Sequence, residues 1–145
     1  MNQWDGPLTR ASGVNATAMG YFTRASGSYA TAMGYATTAN GTYATAMGYN
    51  TTASGQNSTA IGTYTTASGQ SSTAIGTQTI ANGNRSTAMG NYVNTNNYDG
   101  AFVIGDNSTT TILYAANANN FRARFAGGYR LFTSANYTTG CTLYA

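Results

Sequence analysis

Apolar and polar positions follow one another along this chain in a unit that repeats every fourteen residues. The unit at 30–43 reads ATAMGYATTANGTY, and the same order of small, apolar and polar residues starts again at 16, 44, 58 and 72. Each unit predicts two strands, Ala/Ser-Thr-Ala-Met/Ile and then Thr-x-Ala. Fourteen residues are too few for a helical hairpin but suit two short strands joined by tight turns. The pattern therefore predicts a β-solenoid whose coils stack as parallel strands about 4.8 Å apart.

The first strand of each unit is apolar on both faces, because side chains alternate across a strand. One face carries a column of alanines, and the other carries Met or Ile. We expect the alanines to fill the narrow lumen, against the Thr/Ala face of the second strand. The Met/Ile column then points outward, and soluble monomers avoid such a stripe, so other copies of the chain are expected to cover it. The alternative, a monomer with Met and Ile inside a wider roll, stays open here. The predicted interface residues are Met19, Met33, Met47, Ile61, Ile75 and Met89.

Glycines occur every seven residues from Gly6 to Gly90 without a gap. Each fourteen-residue unit therefore contains two of them, in the contexts Ala-Ser/Asn-Gly and Thr-Ala-Met/Ile-Gly. Because glycine adopts a positive φ without steric cost, we expect it to provide that conformation in every turn. The predicted turn glycines are Gly20, Gly27, Gly34, Gly41, Gly48, Gly55, Gly62, Gly69, Gly76 and Gly83.

The regular spacing breaks after Gly90. Asn97 stands where the next glycine is due, and the next match to the unit, at 101–108, is displaced by one residue. We predict a repeat region over 1–99 and a small β-rich C-terminal cap over 100–145. Strand patterns in the cap lie at 110–114, 121–125, 129–133 and 141–145.

Units such as STAIGTYTTASGQS (58–71) resemble the repeat of trimeric autotransporter adhesin heads of the YadA type, which reads approximately Asn-Ser-Val-Ala-Ile-Gly-x-x-Ser-x-Ala. The resemblance implies a left-handed parallel β-roll and a homotrimer with three chains side by side. Here Thr stands where that family has Val, and Met often replaces Ile, so the implied interface is less apolar. The segment 101–130 resembles the junction that precedes the endosialidase-type intramolecular chaperone of phage and bacterial fibres.

Composition narrows the possible chemistry. Only 6% of the residues are charged, and the chain has no Lys, Glu or His. Six scattered arginines do not provide the basic stripe that a nucleic-acid partner requires. A catalytic site would have to rest on Asp5, Asp99, Asp106, a hydroxyl or Cys141, none of which has a partner at a recognisable spacing. We therefore predict no enzyme, with no catalytic, cofactor-binding or metal-binding residues.

The N-terminus carries no signal-peptide pattern, and no run of residues is apolar and long enough to span a membrane. We expect no membrane insertion by this chain and no nucleic-acid partner. The predicted localisation is extracellular, at the cell surface or on a virion.

Tyrosines recur at the same positions of consecutive units, so their rings should form short ladders on the outside of the roll. Two interpretations stay open: the rings stabilise the turns by stacking, or they serve as platforms for sugar rings. The candidate glycan-contacting residues are Tyr21, Tyr35, Tyr49, Tyr29 and Tyr43.

A second candidate surface is the arginine group of Arg122, Arg124 and Arg130. These side chains could contact acidic glycans or lipopolysaccharide phosphates. They could instead form a solvated strand face, or pair with Asp106 of a neighbouring chain.

These features predict a structural and adhesive segment of a homotrimeric extracellular fibre, which attaches to surfaces or glycans through multivalent contacts. A phage tail-fibre segment that binds a host glycan is the main alternative. An ice-binding solenoid is disfavoured, because such surfaces usually need Thr-x-Thr on one strand, whereas the residue two after each column Thr is here Met, Ile or Ala. A glycan depolymerase would need a carboxylate cluster that the sequence lacks.

Overall fold

The structure of the chain is a computed structural model that describes residues 8–132 and 140–143, with side chains as far as Tyr129. These residues form strands and turns, and no helix occurs among them, so the predicted all-β class is confirmed. Gly6 and the end of the last predicted strand, at 144–145, lie outside the described residues. The strands are β1 (Arg10–Ala11), β2 (Thr17–Tyr21), β3 (Arg24–Ala25), β4 (Thr31–Tyr35), β5 (Thr38–Ala39), β6 (Thr45–Tyr49), β7 (Thr52–Ala53), β8 (Thr59–Thr63), β9 (Thr66–Ala67), β10 (Thr73–Ala81), β11 (Thr87–Asn94), β12 (Phe102–Gly105), β13 (Leu113–Tyr114), β14 (Phe121–Arg124), β15 (Tyr129–Phe132) and β16 (Gly140–Leu143).

Two parallel ladders make up the solenoid. The first contains β2, β4, β6, β8 and the first part of β10, and it places Met33 beside Met47. The second contains β1, β3, β5, β7, β9 and the last part of β10, and it places Ala39 beside Ala53. Paired residues are fourteen apart in sequence, as the repeat predicts. The parallel β-solenoid of fourteen-residue coils is therefore confirmed.

The first ladder continues beyond residue 99. Strand β11 pairs with β12 so that Thr87 lies beside Phe102, and β12 pairs with β14 so that Phe102 lies beside Phe121. The longer sequence separations reflect longer loops between these strands. Strands β15 and β16 form a separate antiparallel pair. The domain boundary between residues 99 and 100 stays a prediction.

The lumen is filled by alanine. Ala32, like its equivalents in the following coils, is 0% exposed and belongs to one cluster with the buried alanines of the second ladder, such as Ala39. By contrast, Met19 at the N-terminal end is 55% exposed, and the other Met and Ile side chains of the column are half-buried. The alanines, and not the Met and Ile side chains, therefore occupy the interior. A wider roll with Met and Ile inside is not the observed arrangement.

Both sets of glycines lie where the next coil approaches too closely for a Cβ atom, but only one set has a positive φ. Gly34 and its equivalents lie near the ends of the first-ladder strands with a strongly positive φ, which is 123° at Gly34. Residues that carry a Cβ atom rarely adopt this backbone conformation, because it is sterically strained for them. Gly41 begins a turn without a positive φ, and a Cβ atom there would overlap the carbonyl oxygen of Gly55 in the next coil.

The positive φ inside each turn belongs to the residue two positions after the glycine, such as Ala36 at 52° and Tyr43 at 58°. The expectation that glycine provides this conformation in every turn is therefore wrong. In one set of turns glycine is required because stacked coils approach closely, and φ plays no part. That set consists of Gly13, Gly27, Gly41, Gly55, Gly69 and Gly83.

Candidate functional site

The Met/Ile column runs along the outer side of the first ladder. Thr31 and Met33 flank the buried Ala32, so strand alternation directs both of them outward. The parallel register then sets Met33 beside Met47, and Ile61 beside Ile75. The result is a continuous apolar strip on the surface of a single chain. The structure thus places all six predicted interface residues in one row.

The first tyrosine ladder contains Tyr21, Tyr35 and Tyr49. The ring centroids are 5.3 Å apart between Tyr21 and Tyr35 and 5.1 Å apart between Tyr35 and Tyr49, with interplanar angles of 22° and 8°. Phe22 meets Tyr21 edge-on at one end, and Tyr64 meets Tyr49 at the other. The five rings form one exposed aromatic row at the turn that leads from the first ladder to the second.

The second tyrosine ladder is the pair Tyr29 and Tyr43, at the opposite turn. These rings stack with centroids 5.1 Å apart and an interplanar angle of 9°, and they are 50% and 55% exposed. The same position holds Asn15 in the preceding coil and Asn57 in the following coil, so this ladder has two members only. Both ladders form where the repeat predicts them.

Stacking limits what the ladders can present to a ligand. Neighbouring rings such as Tyr35 and Tyr49 cover each other's faces, which are the surfaces on which a sugar ring would stack. The edges and the phenol groups remain open to solvent, since Tyr35 and Tyr49 are each 43% exposed. The ladders can therefore offer rows of hydroxyl groups and ring edges, but few free ring faces.

A shallow groove of about 250 Å³ lies on the outer side of the second strand ladder, beside β9 and the last part of β10. Its lining carries no charge and combines a phenol, an amide, a hydroxyl and two branched aliphatic groups. The repeat pattern does not predict this groove, although the sequence contains one signal of it: Ile80 stands where the preceding three coils have Thr. The lining residues are Tyr64, Thr66, Gln78, Ile80 and Ile112.

The Arg124 guanidinium is held within its own chain. Its Nε lies 3.3 Å from Oδ1 of Asp106, Nη1 donates to the carbonyl oxygen of Thr111 at 2.6 Å, and Nη2 donates to that of Asn91 at 3.0 Å. The Asp106 that the sequence suggested in a neighbouring chain is thus found in the same chain. Arg124 acts as a tie between loops, and it is not an open anion site.

Asp106 is surrounded by donors. Its carboxylate accepts hydrogen bonds from the Ser108 hydroxyl and from the backbone N–H of Ala126, both at 2.6 Å, besides the bond from Arg124. These bonds, that of Ser108 above all, lower the pKa of Asp106 to about 2. Arg122, the second arginine of the group, donates to the carbonyl oxygen of Tyr114 at 2.7 Å. The side chain of Arg130 lies outside those described.

Of the four residues considered for catalysis, the structure describes the side chains of Asp99 and Asp106, and each accepts a hydrogen bond from a backbone N–H. Asp99 lies in a turn and accepts a hydrogen bond from the backbone N–H of Asn84 at 2.8 Å. Asp5 and the side chain of Cys141 are outside the described part. Across residues 8–132 and 140–143, no three His, Cys, Asp or Glu side chains are grouped so that they could hold a metal ion. The same residues contain no helix able to cross a membrane.

Comparison with known families gives a match that follows the coils. The model described as the YadA head domain repeat (2 copies) matches residues 11–37, 39–65 and 67–92, which together make up more than half of the chain. Each matched stretch spans about two coils. No curated protein matches the chain. The matches end at residue 92, so the resemblance of 101–130 to a chaperone junction stays a prediction.

Proposed function

The chain belongs to the family of YadA head domains, and on that premise we propose that it is a structural and adhesive segment of a homotrimeric fibre at the cell surface. YadA-type heads are homotrimeric, surface-exposed adhesins. The proposal assigns no reaction to the chain. The observation that carries it is the outward Met/Ile column, because this apolar strip needs a partner that is apolar at the same spacing.

A second and a third copy of the chain meet that need. Three columns around a rotation axis would each face the same column of another copy, with matching spacing along the axis. The coils contain few charged groups that would oppose such packing, since only 6% of the chain is charged. Burial of Met and Ile in this interface would contribute at most roughly 1.5–3 kcal/mol for each side chain, and less for those that are already half-buried in the single chain.

Molar mass in solution tests the assembly. Light scattering on the purified chain should give three times the 15.0 kDa of one chain. A folded particle of 15.0 kDa would contradict the proposal.

We propose that attachment uses the exposed tyrosine ladders, on three identical flanks of the trimer. Each flank would contact a glycan weakly, and simultaneous contacts would raise the overall affinity through a high effective concentration. The geometry favours hydroxyl groups and ring edges as the contacting atoms, because the ring faces are covered by stacking. The expected ligand is therefore a neutral glycan that is hydrogen-bonded across several coils.

Two triple variants at Tyr21, Tyr35 and Tyr49 separate hydroxyl contacts from ring contacts. If the hydroxyl groups bind, changing all three residues to Phe should abolish binding on a glycan array while the rings still stack. If ring edges dominate, the Phe variant should retain binding and an Ala variant should lose it. Binding that survives the Ala variant would show that this ladder is not the attachment site.

The C-terminal residues 100–145 are proposed to cap the roll. Support comes from β12 and β14, which extend the first ladder, and from Arg124, whose hydrogen bond to the Asn91 carbonyl reaches back to β11. A cap of this kind would protect the end of a solenoid from pairing with other chains.

A further inference from the structure

The coils have few conventional means of covalent connection. The chain has a single cysteine and no lysine, so neither a disulfide within one chain nor a lysine-based cross-link can join neighbouring coils. Tyrosine, in contrast, is abundant, with twelve residues. The pair Tyr29 and Tyr43 brings two phenol rings from consecutive coils into parallel contact, with centroids 5.1 Å apart.

The backbone holds this pair in place. The N–H of Tyr29 donates to the carbonyl oxygen of Val14 at 2.7 Å, and the N–H of Tyr43 donates to that of Ser28 at 2.9 Å. Both residues have the same left-handed conformation, with φ values of 57° and 58°. The two side chains therefore leave the roll in the same direction from adjacent rungs, which gives each ring a high effective concentration near the other.

The rings are accessible as well as close. Tyr29 is 50% exposed and Tyr43 is 55% exposed, so a reagent in solution can reach both phenols. Exposure also leaves room for the rings to tilt, and tilting is necessary because stacked rings do not place their ortho carbons at bonding distance. The members of the longer ladder are more restricted, since Phe22 crowds Tyr21 and Tyr64 crowds Tyr49.

We propose that Tyr29 and Tyr43 form a site of dityrosine cross-linking, which joins two coils of the roll when a one-electron oxidant acts on the protein. The oxidant class is a haem peroxidase with hydrogen peroxide. Each phenol loses one electron and one proton to give a phenoxyl radical, and the two radicals form a carbon–carbon bond between their ortho positions. The two ortho protons then move to the oxygens and restore the phenols. In total the protein loses two hydrogen atoms, and hydrogen peroxide takes them up to become two molecules of water.

The sequence supplies a direct assay, because Met33 lies between the two tyrosines. Cyanogen bromide cleaves after methionine and releases peptides 20–33 and 34–47, which carry Tyr29 and Tyr43 respectively. A background variant in which Tyr21, Tyr35 and Tyr49 are all changed to Phe leaves this pair as the stacked tyrosines of these peptides. Phe keeps the rings, so the fold should be preserved, and circular dichroism checks this.

After treatment of the folded background variant with peroxidase and limiting peroxide, mass spectrometry should find the two peptides joined. Their combined mass should be lower than the sum by two hydrogen atoms, and the product should show blue dityrosine fluorescence. Adding Tyr29→Phe should abolish the joined peptide. The control Tyr114→Phe removes a tyrosine that is 45% exposed and stacks on no other tyrosine of the described residues, and it should leave the yield unchanged.

A further arm tests the geometry itself. Oxidation of the same variant in concentrated guanidinium chloride should give far less joined peptide, because the unfolded chain does not hold the rings together. The proposal is overturned if the yield is equal in the unfolded chain, if the joined peptide persists with Tyr29→Phe, or if oxidation links different chains only.

Discussion

Single residues in the lumen show how tightly the roll restricts its polar groups. Thr51 is 0% exposed, and its hydroxyl has no hydrogen-bond partner among the described residues. Thr95 is equally buried, but its hydroxyl accepts from the backbone N–H of Asn82 at 3.0 Å and of Gly83 at 3.3 Å. A buried hydroxyl without a partner costs about 1–3 kcal/mol, whereas a bonded one stabilises the fold. The same residue type therefore has opposite effects at two positions of the interior.

Replacement by valine tests this difference, because valine keeps the shape of threonine and removes the hydroxyl. Thr51→Val should raise the free energy of unfolding by about 1 kcal/mol. Thr95→Val should lower it by about 1–3 kcal/mol, since the buried N–H of Gly83 and the partly buried N–H of Asn82 lose their acceptor. Urea denaturation followed by circular dichroism measures both. A loss of stability in Thr51→Val equal to that in Thr95→Val would show that the Thr51 hydroxyl is bonded after all.

At the scale of elements, β14, the last strand of the first ladder, is held by side-chain hydrogen bonds of Arg124 and Asp106. Strand β14 ends at Arg124, which reaches the carbonyl of Asn91 at the end of the first-ladder part of β11 and the carboxylate of Asp106 just after β12. Asp106 in turn binds the N–H of Ala126, beyond β14. These hydrogen bonds join β11, β12 and β14, three consecutive strands of the first ladder, in the region where the fourteen-residue repeat no longer sets the register.

Acid should weaken the hydrogen bonds that the Asp106 carboxylate accepts. The pKa of Asp106 is lowered from 3.8 to about 2, so the ionised form is the one that the fold stabilises. The contribution of Asp106 is present above about pH 4 and is lost as the pH falls through the folded pKa near 2. Thermal unfolding followed by near-ultraviolet circular dichroism from pH 6 to pH 2 should show a falling midpoint below pH 4.

The variant Asp106→Asn should unfold at a lower temperature at pH 6 and lose this part of the acid dependence. Asp99→Asn serves as the control, because Asp99 does not contact Arg124, and it should keep the decline below pH 4. If the unfolding midpoint of Asp106→Asn declines below pH 4 as steeply as that of the unchanged chain, the hydrogen bonds of Asp106 do not control the stability of the C-terminal end of the first ladder.

At the scale of the whole molecule, the two outer sides of the roll differ in character. The first ladder presents the Met/Ile column, and the second presents Thr38, Thr52 and Thr66 in its middle coils. Only the first is a continuous apolar strip, so only this side is suited to dry contact with other copies. The proposed trimer therefore places the second ladder toward solvent.

One aspartate on each side tests this assignment. Met33→Asp should dissociate or unfold the assembly, because a carboxylate buried without a partner in the interface costs about 3–5 kcal/mol. Thr52 is half-buried like Met33 but lies on the second ladder, so Thr52→Asp adds the same charge on the solvent side and should be tolerated. Light scattering gives the molar mass of each variant, and circular dichroism shows whether it is folded. Equal effects of the two substitutions would show that the outer sides are not distinguished in this way.

Much of the fold could be predicted from the sequence, because its causes are local and repeat. The period of fourteen determines the register of both ladders, and strand alternation assigns Ala32 to the lumen and Met33 to the outside. The stacking of Tyr35 on Tyr49 follows from the same register. Each of these features depends on residues within one unit and on the next copy of that unit.

Other features arise only when the coils are stacked. Gly41 is needed because the carbonyl of the next coil occupies the space of a side chain, which no property of one unit reveals. The groove between Ile80 and Ile112, and the tie from Arg124 to Asp106, join segments that the broken repeat does not place in register. The sequence alone thus determined the period, the strands and the orientation of their faces, since these follow from local backbone geometry. The tertiary structure decided the close contacts between coils and the closure of the C-terminal end, because both depend on distances between segments far apart in the chain.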